Sequence, residues 1–266
     1  MKFWIAVIVV LAIFYFLGKK PTPHQKTEGQ QNATTKKQPS SNTAKATAIS
    51  KPTVKKESVI DNLWNYGSET AWNEALAHYY EIIRAEALEI ENYIENIDAT
   101  EVAQLSATEF YDFLHDKYFV WKYTAKNRLA TTRKSLRRYV EEGKLSELAD
   151  IQRRLFSADH TNISRCLSIA TEIRGLGAAG ASGLLAVLFP KDFGTIDQFV
   201  VKALREVDGL PYAAELAEMN PESLSVKNGV LIIKILREQA EKLNQKFNTD
   251  FWTPRKIDMI LWSIGR

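Results

Sequence analysis

The stretch that most constrains this chain is Ile173-Arg174-Gly175-Leu176-Gly177-Ala178-Ala179-Gly180-Ala181-Ser182. An amphipathic run, Ile163 to Ile173, stops at the Gly-x-Gly pair, and a second apolar run, Ala178 to Phe189, begins at once. Glycine permits the positive-φ backbone that a very tight turn needs. The pattern predicts two short helices joined by a hairpin over 174–177. The second helix would present its unpaired N–H groups, and its positive dipole end, at the hairpin mouth. Such a mouth is a ready anion site, and phosphate is its usual occupant. Pro190 and Gly194 follow in a loop, and Asp197 heads another helix within Thr195-Ile196-Asp197-Gln198-Phe199.

Charge divides the 266 residues unevenly. Residues 1–57 hold ten Lys and two Glu, a charge of +8 in a chain of net +3, which leaves −5 for the remainder. Residues 3–17 are uncharged and almost wholly apolar, with Lys2 before them and Lys19-Lys20 after. Two readings stand: an N-terminal membrane anchor over 1–18, short against the about 20 residues a span wants, or a cleaved signal peptide. No small-x-small cleavage site follows Leu17, which favours the anchor. Lysines are more numerous on its C-terminal side, so the positive-inside rule puts the folded domain in the cytoplasm. Residues 19–57 are a low-complexity basic linker of Lys, Thr, Ser, Gln, Asn, Ala and Pro, too poor in large apolar groups to repay ordering.

The folded domain is expected over 58–266. No stretch alternates in period two, so strands are not expected. Trp72, Leu76, Tyr79, Ile83, Ala87, Ile90, Ile94 and Ile97 recur at three and four, the inner face of one long helix whose outer face carries Glu74, Glu81, Glu86, Glu89, Glu91 and Glu95. Ser106 and Glu109 form a capping box opening the next helix. Its continuation carries Lys117, Lys122, Lys126, Arg128, Arg133, Lys134, Arg137 and Arg138, eight basic residues in 22 with no acid among them. Basic groups neutralise phosphates, and the interleaved Phe119, Trp121 and Tyr123 could stack on unpaired bases; alternatively this is a solvated basic face with its aromatics partly in the core. Gly143 closes that helix and Leu145 to Phe156 is another. Asp159 or Thr161 caps the first hairpin helix. Gln198 to Val207 follows Asp197, with Phe199, Val200, Ala203 and Leu204 inward. Gly229 to Phe247 is a long amphipathic helix, and Thr253-Pro254 opens the last, to Ile264. The class is all-α, about ten helices by periodicity.

The hairpin and the helix-opening Asp resemble the helix-hairpin-helix DNA glycosylase superfamily, over roughly residues 160–205. The family's Leu-Pro-Gly-Val-Gly hairpin reads Ile173-Arg174-Gly175-Leu176-Gly177 here, and its Val-Asp-x-x-Val reads Ile196-Asp197-Gln198-Phe199-Val200. The resemblance implies a hairpin subdomain over about 100–210 and a second built from both chain ends, about 58–97 and 229–264. It implies DNA as partner, with Arg174, Gly175, Leu176, Gly177 and Ala179 at the phosphate and a monovalent cation at Gly175–Gly177. Lys122, Lys126, Arg128, Arg133, Arg137 and Lys202 are the further DNA-contact candidates. Family members that also cleave the strand carry a Lys two residues beyond the second hairpin Gly. Here that residue is Ala179, which has no amine, so lyase chemistry by that route is excluded. The implied function is that of a membrane-tethered DNA-binding protein, with monofunctional base excision by Asp197 as its chemistry.

Asp197 also reads as a helix N-cap, the stronger of the two readings, and the two roles can coexist in one residue. A catalytically inactive member serving as a membrane-anchored interaction domain is the alternative function. Cys166 falls in an apolar stripe and is read as core. No metal site is expected, since His78, His115 and His160 lack partners at ligand spacing. Gly175, Gly177 and Gly180 spell the dinucleotide fingerprint Gly-x-Gly-x-x-Gly, rejected because it follows a helix.

Overall fold

The computed structural model describes residues 58–83 and 87–266, so the anchor and linker expected over 1–57 lie outside the described residues. Among the described residues every regular element is helical. These are α1 (Val59–Tyr66), α2 (Glu69–Ile82), α3 (Leu88–Glu95), α4 (Ala99–Gln104), α5 (Ala107–Asp112), α6 (Phe119–Lys122), α7 (Lys126–Glu141), α8 (Leu145–Phe156), α9 (Ile163–Thr171), α10 (Ala178–Leu188), α11 (Gln198–Arg205), α12 (Ala213–Glu218), α13 (Val226–Phe247) and α14 (Pro254–Gly265). A π-helical segment, Phe113–Tyr118, joins α5 to α6 in one continuous rod. No helix among the described residues is long and apolar enough to cross a membrane.

The local signals act as their chemistry requires. Ser106 and Glu109 exchange both bonds of a capping box at the head of α5. Gly143, at φ +66°, ends the turn after α7. Thr253 caps α14, with Pro254 at its first position. The first hairpin helix is capped differently from expectation: Asn162, not Asp159 or Thr161, accepts the Arg165 N–H at 3.0 Å, while Asp159 spends its carboxylate on the Thr161 N–H.

The single long helix expected over 72–97 is two helices. α2 ends at Ile82, where Ile83 turns to ψ 128°, and α3 starts afresh at Leu88. Its apolar stripe survives the break, with Trp72, Leu76, Tyr79 and Ile94 buried. The Glu face does not survive whole. Glu91 is 5% exposed and accepts bonds from the Tyr79 hydroxyl (2.7 Å) and the Trp121 indole N–H (2.7 Å).

α14 is the central post. It packs on α2 and α1 from the start of the described chain, and on α10, α11 and α13. Helices from both ends of residues 58–266 therefore meet at α14. α9 and α10 lie against each other and against α13, and α5 lies on α8. In α11 the inward set is Val200, Val201, Ala203 and Leu204; Phe199 stays half-exposed against Trp262.

Candidate nucleic-acid interface

The hairpin is built as its glycines demand, and only one of them needs unusual backbone. Gly175 sits at φ +100°, where an L side chain is strained. A Cβ there would also stand 2.9 Å from the Thr132 carbonyl of α7. Gly177 needs neither property: its φ is −92° and no atom lies within 4 Å of an added Cβ. Tyr139 of α7 ties the hairpin down a second time, donating to the Glu172 carbonyl (3.2 Å) and accepting from the Arg174 N–H (3.3 Å). The basic helix and the hairpin, separate in sequence, are thus neighbours in space.

α10 begins without a side-chain cap. Its first internal bond runs from the Ala181 N–H to the Gly177 carbonyl at 2.8 Å. The N–H groups of Ala178, Ala179 and Gly180 precede it and are the orphan donors of the helix. α9, α11, α13 and α14 spend a polar side chain on theirs, while α1, α3, α7, α8 and α12 also start without one. Of the hairpin carbonyls, Ile173 and Gly177 each accept one N–H, from Leu176 (3.0 Å) and Ala181 (2.8 Å), and each keeps a lone pair.

The basic residues divide by partner. Lys126, Arg128, Lys134 and Arg137 are exposed and form no ion pair among the described residues. Arg128 shares a helical stripe with Thr132 and Ser135, the two α7 residues against Gly175, which puts it on the α7 face toward the hairpin. Arg133 is drawn to Asp116 (3.3 Å) and the His115 carbonyl (2.9 Å), and Arg138 to Glu142 (2.9 Å). Arg174 is held by Glu142 (2.8 Å) and Glu147 (3.4 Å) and lies over the Tyr139 ring. Its guanidinium is paired, and its backbone N–H is bound to the Tyr139 hydroxyl. Leu176 is buried, and its N–H is bound to the Ile173 carbonyl. Lys202 is exposed and rests on Phe199.

The aromatics of the run turn inward. Phe119 and Tyr118 are fully buried, Trp121 donates to Glu91, and Tyr123 lies against α10 beside Gly180. They build the floor of the basic face and are not a stacking platform on it.

Lys122 is not one of the α7 cations. It ends α6, and its stem crosses α10 at Gly183, where an added Cβ would meet Cδ at 3.2 Å and Cε at 3.3 Å. Burial lowers its affinity for a proton, opposed by the charges of Asp197 and Asp258. Its surface is partly exposed while its ammonium is crowded by protein, which is how a long side chain with an apolar stem is placed.

Asp197 heads α11 as an N-cap. Its Oδ1 accepts from the Phe199 N–H (2.8 Å) and the Val200 N–H (3.2 Å). The two residues before it are pinned from opposite sides: Asp258 of α14 accepts the Thr195 N–H (2.6 Å), and Ser182 of α10 accepts the Ile196 N–H (2.9 Å). Asp258 in turn takes Arg255 at 2.7 Å, and Arg255 reaches Glu91 at 3.3 Å. Burial pushes the Asp258 carboxyl up to about 7, against the pull of Arg255, the Thr195 N–H and Lys122. Arg255 stays charged: burial opposes it, and Asp258, Tyr79 and Glu91 more than compensate. Sequence reasoning missed this buried cluster, although Arg255 and Asp258 are visible as a charged pair one helical turn apart inside an apolar closing segment.

Two cavities lie away from Asp197. One of about 360 Å³ is lined by Lys191, Arg237, Glu241, Asn244 and Trp252 among others, and one of about 200 Å³ by Trp64, Leu210, Tyr212 and Gln239. Neither includes a residue of the hairpin or of the 117–138 run. No protein-family model, no curated protein and no solved structure matches the chain, so the reading of this site rests on its own residues.

Proposed function

We propose that residues 58–266 bind DNA through the α9–α10 hairpin and the exposed cations of α7, in a protein tethered to a membrane through residues 3–18. One observation carries the reading: α10, uncapped by any side chain, opens beside a helix whose exposed Lys126, Arg128, Lys134 and Arg137 have no carboxylate partner among the described residues. Backbone N–H groups at a helix start and nearby cations are what a phosphate backbone takes. The rest of the domain is acidic, so these cations are a local feature in an opposing field. The resemblance to helix-hairpin-helix glycosylases supports the same partner and extends it to excision of a base, with Asp197 stabilising the cation-like sugar. Asp197 keeps Oδ2 outside its capping bonds, so the cap and the charge are compatible in one carboxylate.

Gel-shift titration of the full chain against duplex DNA at two salt concentrations tests the binding. Affinity should fall steeply with salt. A folded chain that does not shift DNA at low salt would overturn the reading, and leave a membrane-anchored interaction domain in its place.

A further inference from the structure

Arg237 of α13 is a partly buried charge without a counter-ion. Its Nε donates to the Asp192 carbonyl at 2.5 Å and its Nη2 to the His160 carbonyl at 2.9 Å, both neutral acceptors, and its plane lies over the Phe193 ring. Nη1 forms no hydrogen bond among the described residues. Every other buried or half-buried arginine among the described residues has a carboxylate at 3.3 Å or less: Arg133 has Asp116, Arg154 has Glu172, Arg174 has Glu142 and Arg255 has Asp258. The acids closest to Arg237 along its contacts and its helix turn to other partners. The Asp192 carboxylate lies 2.8 Å from the His160 ring nitrogen, and Glu241 accepts the Gln245 amide at 3.2 Å. Burial disfavours the Arg237 charge, with the charge of Asp192 opposing. An arginine stays protonated near neutral pH, and a charge drawn out of water is normally compensated.

The same guanidinium lines the cavity of about 360 Å³. One wall is the face of α13 that carries residues 237, 241 and 245, each one turn from the next. Lys191 and the 249–254 turn form the others, and their backbone is fixed. Asn244 bonds both the N–H and the carbonyl of Trp252 at 2.8 Å, and the Arg255 N–H reaches the Pro190 carbonyl at 3.5 Å. Ala240, Trp252 and Pro254 are buried and give the cavity an apolar lining. Lys191 is exposed and in no ion pair among the described residues. Lys191 and Arg237 against Glu241 leave one positive charge in excess.

We propose that this cavity binds a small monocarboxylate with an apolar body, its carboxylate at Arg237 and Lys191 and its body against Ala240, Trp252 and Pro254. Nη1 and the second hydrogen of Nη2 are the donors that the two carbonyls leave to such a group. The charge count selects a single negative charge: a carboxylate neutralises the site, whereas a phosphate monoester, at about −1.5 to −2 near neutral pH, overshoots it beside Glu241. The volume falls within the about 300–1,000 Å³ of small-molecule sites. The cavity shares no residue with the hairpin or the α7 cations, so this site stands independently of DNA binding.

The test photolabels the full chain with azidobenzoate and maps the label by mass spectrometry of the digest. The expected result is labelling at Lys191 or within 237–254, competed away to saturation by benzoate and not by benzyl alcohol, its uncharged counterpart. Mapping in the wild-type chain does not depend on any variant folding. Lys191→Gln changes an exposed, unpaired residue and should raise the benzoate concentration needed for competition by about fivefold. Arg237→Gln should abolish competition, with circular dichroism showing the variant folded, and Lys134→Gln on α7 should leave it unchanged. Label found only elsewhere, label that benzoate does not displace, or equal displacement by benzyl alcohol overturns the proposal. So does wild-type competition in both Lys191→Gln and a folded Arg237→Gln. Inorganic phosphate that displaces the label at lower concentration than benzoate would overturn the assignment to a monocarboxylate.

Discussion

Asp197 holds the head of α11 by one carboxylate oxygen, and the structural and chemical roles of that carboxylate separate by substitution. Asp197→Ala removes the cap and should cost about 0.5–2 kcal/mol in denaturant unfolding, whether or not the protein is an enzyme. Asp197→Asn caps nearly as well and loses only the charge. If the protein excises a base as proposed, that activity, scored by alkali cleavage over a panel of lesions, should vanish in the Asn variant while stability and DNA affinity hold. Equal cutting by wild type and Asn variant would leave Asp197 as a cap alone. Asp258 makes a pH prediction. Its folded value of about 7 lies above the ordinary 3.8, so between the two the folded chain binds more protons than the unfolded one. Its contribution to stability is complete below the ordinary value and is lost as pH rises through about 7. The cost of Asp258→Asn should be greatest at the acid end and shrink toward neutrality. Denaturant midpoints across that range check this, and a cost that grows with pH would show the carboxylate ionised throughout.

At the scale of elements, the interface depends on one close approach, the hairpin on α7. Gly175→Ala puts a Cβ into a left-handed backbone and against the Thr132 carbonyl. The left-handed strain alone costs on the order of 1–2 kcal/mol. DNA affinity should fall with it, because the α10 mouth and the α7 cations lose their alignment. Gly177→Ala meets open space at ordinary φ and should cost far less. The two thermal midpoints, side by side, decide whether the turn or merely the glycine content matters. Within α7 the exposed cations should act additively on salt dependence. Arg128→Gln should reduce the slope of log affinity against log salt by roughly 0.9, one phosphate contact on duplex DNA. Arg138→Gln, which removes a residue paired with Glu142, should leave the slope unchanged.

At the scale of the whole molecule, the two ends of the described chain are locked by buried charge as well as by packing. Glu91 of α3, Arg255 and Asp258 of α14, Tyr79 of α2 and Trp121 of α6 form one connected set. Removing one member leaves the others buried and unpaired. Glu91→Ala should cost about 3–5 kcal/mol in unfolding free energy. Glu91→Gln keeps two of the hydrogen-bonding geometries and should cost less. A fully buried aromatic nearby sets the comparison: Trp72→Ala should cost about 3–5 kcal/mol through its cavity alone. If Glu91→Ala proved as mild as an exposed substitution, the cluster would not be what joins α3 to α14.

Local chemistry was enough for most of the elements. The bounds of α8, α10 and α14 follow from caps and apolar period, because Gly143, Gly177, Thr253 and Pro254 act within a few residues of themselves. The all-α class, the burial of Cys166 and the tight turn at Gly175 were legible for the same reason. The break between α2 and α3 was not, since the apolar spacing continues across it and periodicity cannot see a change of axis. Nor could the sequence say that Glu91 leaves a solvated stripe to meet Arg255, a partner 164 residues away. The hairpin's contact with Thr132, the pairing that removes Arg174 and Arg133 from the free cations, and the passage of Lys122 across Gly183 are likewise tertiary. Charge and spacing name the residues able to meet a phosphate; only packing decides which of them are left unpaired to do so.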